Sequence, residues 1–417
     1  MIVWKKYRLK DICSYIGSGT TPKSSNSKYY DNGIYNWVNT GDLNNGIVSN
    51  SKQQITDSAL KDFPTLRFYP KGTIIEAMYG ATIGKVGMLD MNATVNQACC
   101  AMIVDRNKAI PNFVLYYLLY YKPQLLKESF GGTQPNVNQF KVSNIAISIP
   151  SREDQQRMVT YLDTKLSDID HQVSLLTSKR DAYLRLEKSI INHAITRGLN
   201  PNVKMKDSGI EWIGEVPEHW EVKRMKELSA IGSGTTPKSG EDKYYENGIH
   251  PWLNTSDVQD CVINEAKFSI TDKALNDYSV LKYYPIGTIL IAMYGGGTIG
   301  NVALMNISAT INQACCAIVS NEKILLPKYL FCYLKCHKKK IISLGFGGTQ
   351  VNLSQAIIAQ LPVVLPPLPE QRAIATYLDD KCVKIDTIVS NLDKQISRYG
   401  DLKRSLIDEV ITGKRAV

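Results

Sequence analysis

The chain has 417 residues, 44% hydrophobic and 21% charged, with a formal net charge of +10; that length allows two domains, each with its own core. No run approaches the roughly 18 apolar residues a membrane span needs. The start, Met1-Ile2-Val3-Trp4-Lys5-Lys6, lacks the apolar stretch of a signal peptide, so a cytoplasmic protein with no membrane partner is expected. The basic excess is compatible with nucleic acid but does not establish it, and no dense Lys/Arg tract marks a tail.

Residues 1–150 mix short β-branched segments with Gly-, Pro- and Asn-rich turns, as a small α/β domain does. After the first strand comes Gly17-Ser18-Gly19-Thr20-Thr21-Pro22-Lys23-Ser24. It has the outline of a phosphate-binding P-loop, but proline stands where that loop needs a glycine with a free N–H, which excludes nucleotide binding. The loop still offers Thr20 and Lys23 to a DNA backbone, and Asn39 follows on a polar turn. Thr73-Ile74-Ile75, Lys85 to Leu89 and Ala101 to Val104 read as strands. Between the first two lies Tyr79-Gly80-Ala81-Thr82-Ile83-Gly84, either a tight turn or a point of close backbone approach to a phosphate; Tyr79, Thr82 and Lys85 are its candidate contacts.

Apolar residues three and four apart predict a helix over Phe113 to Leu126. The loop Phe130-Gly131-Gly132-Thr133-Gln134-Pro135-Asn136-Val137-Asn138 is dense in amide and hydroxyl groups. Asn and Gln can pair bidentately with adenine, so Gln134 and Asn136 are candidate base contacts; a polar turn capping the next helix is the plainer alternative. Asn144 to Pro150 reads as a closing strand.

Residues 151–198 carry a coiled-coil pattern. Leu162, Ile169, Leu176, Tyr183 and Ile190 fall at seven-residue intervals, interleaved with Leu166, Val173, Arg180, Glu187 and Ala194. Residues 199–217 are too rich in Gly, Pro and Asn for a helix and read as a linker.

Then the chain repeats itself. Gly17–Ser24 returns as Gly232–Ser239, 215 residues on; Asn96-Gln97-Ala98-Cys99-Cys100-Ala101 returns as Asn312–Ala317, and Thr160-Tyr161-Leu162-Asp163 as Thr376–Asp379, both 216 on. Solenoid repeats run roughly 20–50 residues, so this period marks a duplicated domain. The second domain spans 218–366 and the second helix 367–417, with Leu378, Ile385, Leu392, Tyr399 and Leu406 as its heptad positions. Thr235, Lys238, Asn254, Tyr294, Thr298, Gln350 and Asn352 are the second set of candidate DNA contacts. One apolar seam per helix requires a partner, and copies related by a twofold would pair their helices antiparallel. Leu162 to Ala194 would span about 48 Å at about 1.5 Å per residue, or at most roughly 14 base pairs at roughly 3.4 Å each.

What is duplicated is a binding inventory. The five histidines have no counterpart in the other copy, and no H-E-x-x-H, Ser/His/Asp or G-x-S-x-G pattern occurs. Cys332 and Cys336 beside His337 suggest a metal, but the counterparts of the two cysteines in the first copy are Tyr116 and Tyr120, so buried reduced thiols on a helix are expected. The vicinal pairs Cys99-Cys100 and Cys315-Cys316 lack zinc-site spacing. A protein–protein scaffold remains the alternative from another class.

These features together resemble the specificity subunit of type I restriction–modification systems. The resemblance rests on Lys206-Asp207-Ser208-Gly209-Ile210-Glu211-Trp212-Ile213-Gly214-Glu215-Val216-Pro217-Glu218-His219-Trp220, on the two Gly-Ser-Gly-Thr-Thr-Pro-Lys loops, on Tyr29-Tyr30-x2-Gly33-Ile34-x2-Trp37, and on Pro366-Pro367-Leu368-Pro369-Glu370-Gln371-Arg372. The first copy departs from the last pattern, with Pro150-Ser151-Arg152-Glu153-Asp154-Gln155-Gln156-Arg157. The resemblance implies an α+β fold: two similar globular α/β target-recognition domains related by a pseudo-twofold, joined by two long helices packed as an antiparallel coiled coil. It implies a non-catalytic chain that reads a bipartite double-stranded DNA site. It also implies that two modification subunits dock on the helices, for which Leu162, Ile169, Leu176, Tyr183, Leu378, Ile385, Leu392 and Tyr399 are the candidate residues. Those partners would bind S-adenosylmethionine and methylate adenine, a restriction subunit can join them, and this chain itself would need no cofactor. Because the copies are so alike, the expected site is nearly palindromic. Gly41/Ser256, Glu76/Ile291, Lys85/Asn301 and Pro135/Val351 are the differences expected to make the half-sites unlike.

Overall fold

The computed structural model describes residues 3–128, 136–347 and 351–417. The chain divides into two compact units: residues 1–177 with 393–417, and residues 178–392. Each unit contains one recognition domain, half of one long helix and half of the other.

In the first unit Lys5–Arg8 pairs antiparallel with Ala146–Ile149, so the domain closes where it opens. The core is a five-stranded sheet in the order Cys13–Ser18, Cys99–Val104, Ile74–Ala77, Val86–Leu89, Gly46–Val48. A three-stranded sheet, Gln53–Ile55, Tyr35–Val38, Thr94–Val95, lies beside it. Both sheets contain a parallel pair: Gly46–Val48 with Val86–Leu89, and Trp37-Val38 with Thr94-Val95. The predicted helix is Pro111–Lys127, opening with proline at its first turn, where the missing N–H costs nothing.

The second unit repeats this strand for strand. Glu221–Arg224 pairs with Pro362–Leu365. The five-stranded order is Ser229–Ser233, Cys315–Ser320, Ile289–Ala292, Val302–Met305, Cys261–Ile263, and the three-stranded order is Phe268–Ile270, His250–Leu253, Thr310–Ile311. Pro327–Ser343 is the equivalent helix. Cys332 and Cys336 lie on it with burial pushing both thiols up to about 11, and His337 is wedged edge-on between the rings of Trp212 and Tyr333. These residues serve helix packing. Among the described residues, no group of three or more His, Cys, Asp or Glu side chains is placed to hold a metal ion.

The long helices are Arg152–Arg197 and Leu368–Ile411. In the first unit Leu162, Leu166 and Ile169 share one core with Leu406, Ile407, Val410 and Ile411. Lys403 there reaches Asp170 at 2.7 Å and Arg415 reaches Tyr161 at 3.3 Å. One number rises as its partner's falls, so the two segments run antiparallel. In the second unit Ile191, Ala194 and Ile195 share a core with Ile374 and Leu378. Each helix half is therefore buried both against its recognition domain and against a half of the other helix.

The linker is more ordered than its composition suggests. Met205–Asp207 and Glu215–Pro217 form a hairpin, with Gly209 and Gly214 at positive φ in its turn. It delivers the fully buried Trp220, whose Nε1 donates to Glu370 at 2.9 Å while His219 meets the other oxygen of Glu370 at 2.7 Å. The side chain of Gln371 is buried too: its Oε1 accepts from the Leu326 N–H, and its Nε2 donates to the carbonyls of Ile324 and Pro366. Gln155 does the same in the first unit, accepting from Ile110 and donating to Pro150. The altered helix start of the first copy thus keeps its clamp.

Candidate nucleic-acid interface

The repeated Gly-Ser-Gly-Thr-Thr-Pro-Lys loop is built by backbone contacts. A Cβ on Gly19 would overlap the carbonyl of Val95, and one on Gly234 that of Ile311, so only glycine fits. Thr20 N donates to Val95 O at 3.1 Å, Trp37 Nε1 to Thr20 O at 3.1 Å, and Tyr30 Oη to the carbonyl of the buried Pro22 at 2.6 Å. Trp252 repeats the second bond onto Thr235 O at 3.2 Å. The letters of the motif shared by the two copies therefore build the loop's shape, and the side chains left at its rim are those of Thr20, Thr21 and the exposed Lys23.

Around this loop the structure gathers most candidate contacts of the first unit. The Gln97 N–H donates to Thr21 Oγ1 at 3.4 Å, and Asn96 Nδ2 donates to Asn39 Oδ1 at 2.9 Å. Met78 N donates to Ala98 O at 2.9 Å, and Val137 N to Met78 O at 2.9 Å. The neighbouring Tyr79 and Asn136 are bridged through their backbones, and both are exposed. In the second unit Thr236 Oγ1 bonds Gln313 Oε1, Tyr294 Oη donates to Gln313 O at 3.0 Å, and Leu353 N donates to Met293 O at 2.7 Å beside Asn352. Asn254 Oδ1 accepts from Ser256 N at 2.8 Å. Gln134 and Gln350 lie outside the described residues.

The glycine turn takes the structural option. Gly80–Thr82 is one 3-10 turn, closed by Gly84 N donating to Ala77 O at 2.9 Å, and Gly84 is at positive φ. Thr82 Oγ1 donates to Tyr79 O at 3.1 Å and Thr298 Oγ1 to Tyr294 O at 3.4 Å, so both hydroxyl protons are used in fixing the turns. Lys85 lies half-buried near Lys122.

Three sequence expectations need correction. Glu76 is 1% exposed in the middle of a sheet, and Ile291 is fully buried, so this difference cannot touch a ligand. Asn301 is buried as well, donating to Val258 O at 2.8 Å and accepting from Lys338. Of the eight proposed docking residues, Leu162, Ile169, Leu378, Ile385 and Leu392 are buried, Leu176, Tyr183 and Tyr399 are half-buried, and Leu162, Ile169, Leu378 and Tyr399 pack into the cores the long helices share. A side chain occupied in the seam has little surface for a third chain. The apolar residues that the helices expose are Leu175, Leu184, Leu186, Val383 and Leu402.

Gln97 and Gln313 were missed as candidates, although their motif is repeated intact. A polar Asn-Gln pair repeated just before an apolar strand is the sequence signal that marks them.

The Lys238 ammonium pairs with Glu241 at 2.8 Å, and Lys243 pairs with the same carboxylate, which these two cations hold at a pKa of about 2. Among the described residues Lys23 has no such partner. The two loops are thus alike in shape and unlike in available charge.

Comparison with known proteins agrees with the duplication. The profile of the type I restriction modification DNA specificity domain matches residues 1–175 and again 217–398. The MjaIX type I restriction enzyme specificity subunit of Methanocaldococcus jannaschii is 27% identical over 427 residues, covering 99% of this chain and 94% of that protein. A solved structure from work on complex assembly and conformational transition of the type I R-M system matches with a TM-score of 0.74 at 17% identity, over 98% of this chain and 97% of that one. The HsdS subunit from Thermoanaerobacter tengcongensis matches with a TM-score of 0.51 at 17% identity, over 99% and 97%. With two matched segments that fill most of its length, this chain belongs to the type I restriction–modification DNA specificity family, as a specificity subunit with an internal duplication.

Proposed function

We propose that the chain reads a bipartite, nearly palindromic site on double-stranded DNA and presents it to two adenine-methyltransferase subunits held by its long helices. The observation that carries this reading is the duplicated cluster of Thr, Asn, Gln and Tyr side chains on backbone-fixed loops, one on each of two units with the same strand order. Such groups hydrogen-bond base edges and phosphates. Two like readers select like half-sites, as dimeric readers do. The helices, 46 and 44 residues long, are the spacer, and their exposed Leu175, Leu184, Leu186, Val383 and Leu402 supply apolar surface for the partners.

In this reading the chain performs no chemistry and holds no cofactor; S-adenosylmethionine belongs to the methyltransferase subunits, and a restriction subunit can join the complex in the cytoplasm. Thr20, Lys23, Asn39, Tyr79, Asn136, Thr235, Lys238, Asn254, Tyr294 and Asn352, with Gln97 and Gln313 added, are the contacts we propose. The test is to reconstitute the chain with an adenine-methyltransferase partner, footprint the complex, and sequence methylated motifs on genomic DNA. Protection of two inverted, similar half-sites is expected. Two unrelated half-sites would remove the near-palindrome, and no protection would favour a protein scaffold.

A further inference from the structure

The two candidate interfaces share a basic frame and differ at one projecting side chain. In the first unit the short helix Gln139–Ser143 is capped by Asn138, whose Oδ1 accepts from Lys141 N at 2.8 Å. Its far end is held by Asn144, whose Oδ1 accepts from Lys10 Nζ at 2.9 Å and Arg8 Nη1 at 3.3 Å. The second unit repeats the arrangement: helix Gln355–Ala359 is capped by Ser354, and Arg224 Nη1 donates to Gln360 at 2.9 Å. Gln139 Nε2 ties the first helix to Ile16 O at 3.0 Å, and Gln355 Nε2 ties the second to Ser233 Oγ at 2.8 Å. Both helices are thus fastened to the strand that runs into the Gly-Ser-Gly-Thr-Thr loop.

On this common frame the first unit places Phe140, 75% exposed, and the second places Ala356. Phe140 follows the segment whose Asn136 is bridged to Tyr79 and whose Val137 is bonded to Met78. The phenyl ring, largely in water, borders a surface cavity lined also by Tyr79, Glu128, Asn136 and Lys141, outside the core of its own unit. An exposed phenyl ring gains free energy when it covers apolar surface on a ligand. On the major-groove edges of DNA the apolar group is the thymine C5-methyl.

Building on the DNA-reading function proposed above, we propose that Phe140 is a specificity-determining residue of the first unit, packing on a thymine methyl in its half-site. Ala356 leaves the equivalent base pair unread by this contact. The DNA site is then near-palindromic with one defined asymmetry. Because Phe140 is exposed and makes no side-chain hydrogen bond, Phe140→Ala leaves the fold intact.

The experiment uses the full chain with its methyltransferase partner, and measures methylation rates on a bound duplex in which thymines of each half-site are replaced one at a time by uracil. Wild type should lose about fivefold at one position of one half-site, the low end of the cost of one mismatched base pair. Phe140→Ala should show that same loss on the unmodified duplex and no further loss with uracil. Ala356→Phe should gain thymine selectivity in the other half-site. Uniform tolerance of uracil by the wild type, or a Phe140→Ala motif identical to wild type, overturns the inference while leaving DNA reading in place. Failure of the wild-type complex to methylate any duplex overturns the DNA-reading function itself.

Discussion

Replacing Glu76 with isoleucine should stabilise the first unit, by an amount that depends on pH. Glu76 shares its strand face with Ile74 and lies opposite Cys100 and Val86, all in one apolar core. Its Oε2 has no hydrogen-bond partner, and burial pushes its carboxyl up to about 8 against the weaker opposing pull of Lys122. In the unfolded chain the group returns to an ordinary glutamate value of about 4.3. The folded state therefore binds the proton more tightly, and stability is fully present below about pH 4 and is lost as pH rises towards about 8. At about 1.4 kcal/mol per pKa unit, pH 7 lies far enough above the unfolded value to cost about 4 kcal/mol. For a unit of roughly 200 residues that is about 8–16 °C in melting temperature. The second unit already carries isoleucine at the matching place, Ile291, in an equivalent core. Calorimetric melts of wild type, Glu76→Ile and Glu76→Gln at pH 4 to 9 test this. Both variants should flatten the decline of one transition with pH, and the isoleucine variant should raise its midpoint at pH 7. A wild-type–variant difference constant across the pH range would refute the buried-carboxyl argument.

Other consequences follow from the same contacts. Burial lowers His337 to about 4, so the second unit should lose stability as pH falls from about 6.5 to about 4; His337→Phe should remove most of that slope in acid melts. Lys23→Ala should flatten the salt dependence of DNA binding by about one unit, whereas Lys238→Ala should change it less because Glu241 already neutralises that lysine; equal slopes for the two variants would refute the distinction. Gln371→Leu would leave the Leu326 N–H and two carbonyls unpaired in the interior, costing about 2–4 kcal/mol, read as an earlier denaturant midpoint with the helix content of the native state retained.

How much of this was legible in the sequence differs by length scale. The long helices were readable because a seven-residue seam is a local pattern, and Leu162, Leu166 and Ile169 are buried where it puts them. The antiparallel order followed once two seams needed one another. The division into two sheets was not readable, since parallel pairs such as Trp37 with Thr94 join strands far apart in sequence with no hairpin turn to announce them. Glu76 looked like a surface difference because a lone carboxylate in a strand normally faces water; only the strand's central place in the sheet shows otherwise. The seam leucines were assigned to partners because the resemblance supplied the helices' role without saying which face performs it. The resemblance itself held, since it rested on long motifs such as residues 206–220, whose Trp220 is tied to Glu370 at the start of the second long helix and whose Gly209 and Gly214 supply the positive φ of the hairpin turn.

The seat of Gly19 on Val95 and of Gly234 on Ile311 has a consequence for how such a protein can change. Loop shape is written in backbone contacts and in the rings of Trp37 and Trp252. The exposed tip, Lys23, takes no part in that scaffolding, and Thr20 is held mainly through its backbone, so substitution of Lys23 falls in the class that shifts stability by only about half a kcal/mol. The chemical message at the tip can therefore be rewritten while the socket that holds it stays the same, and a duplicated chain has two sockets in which to store different messages.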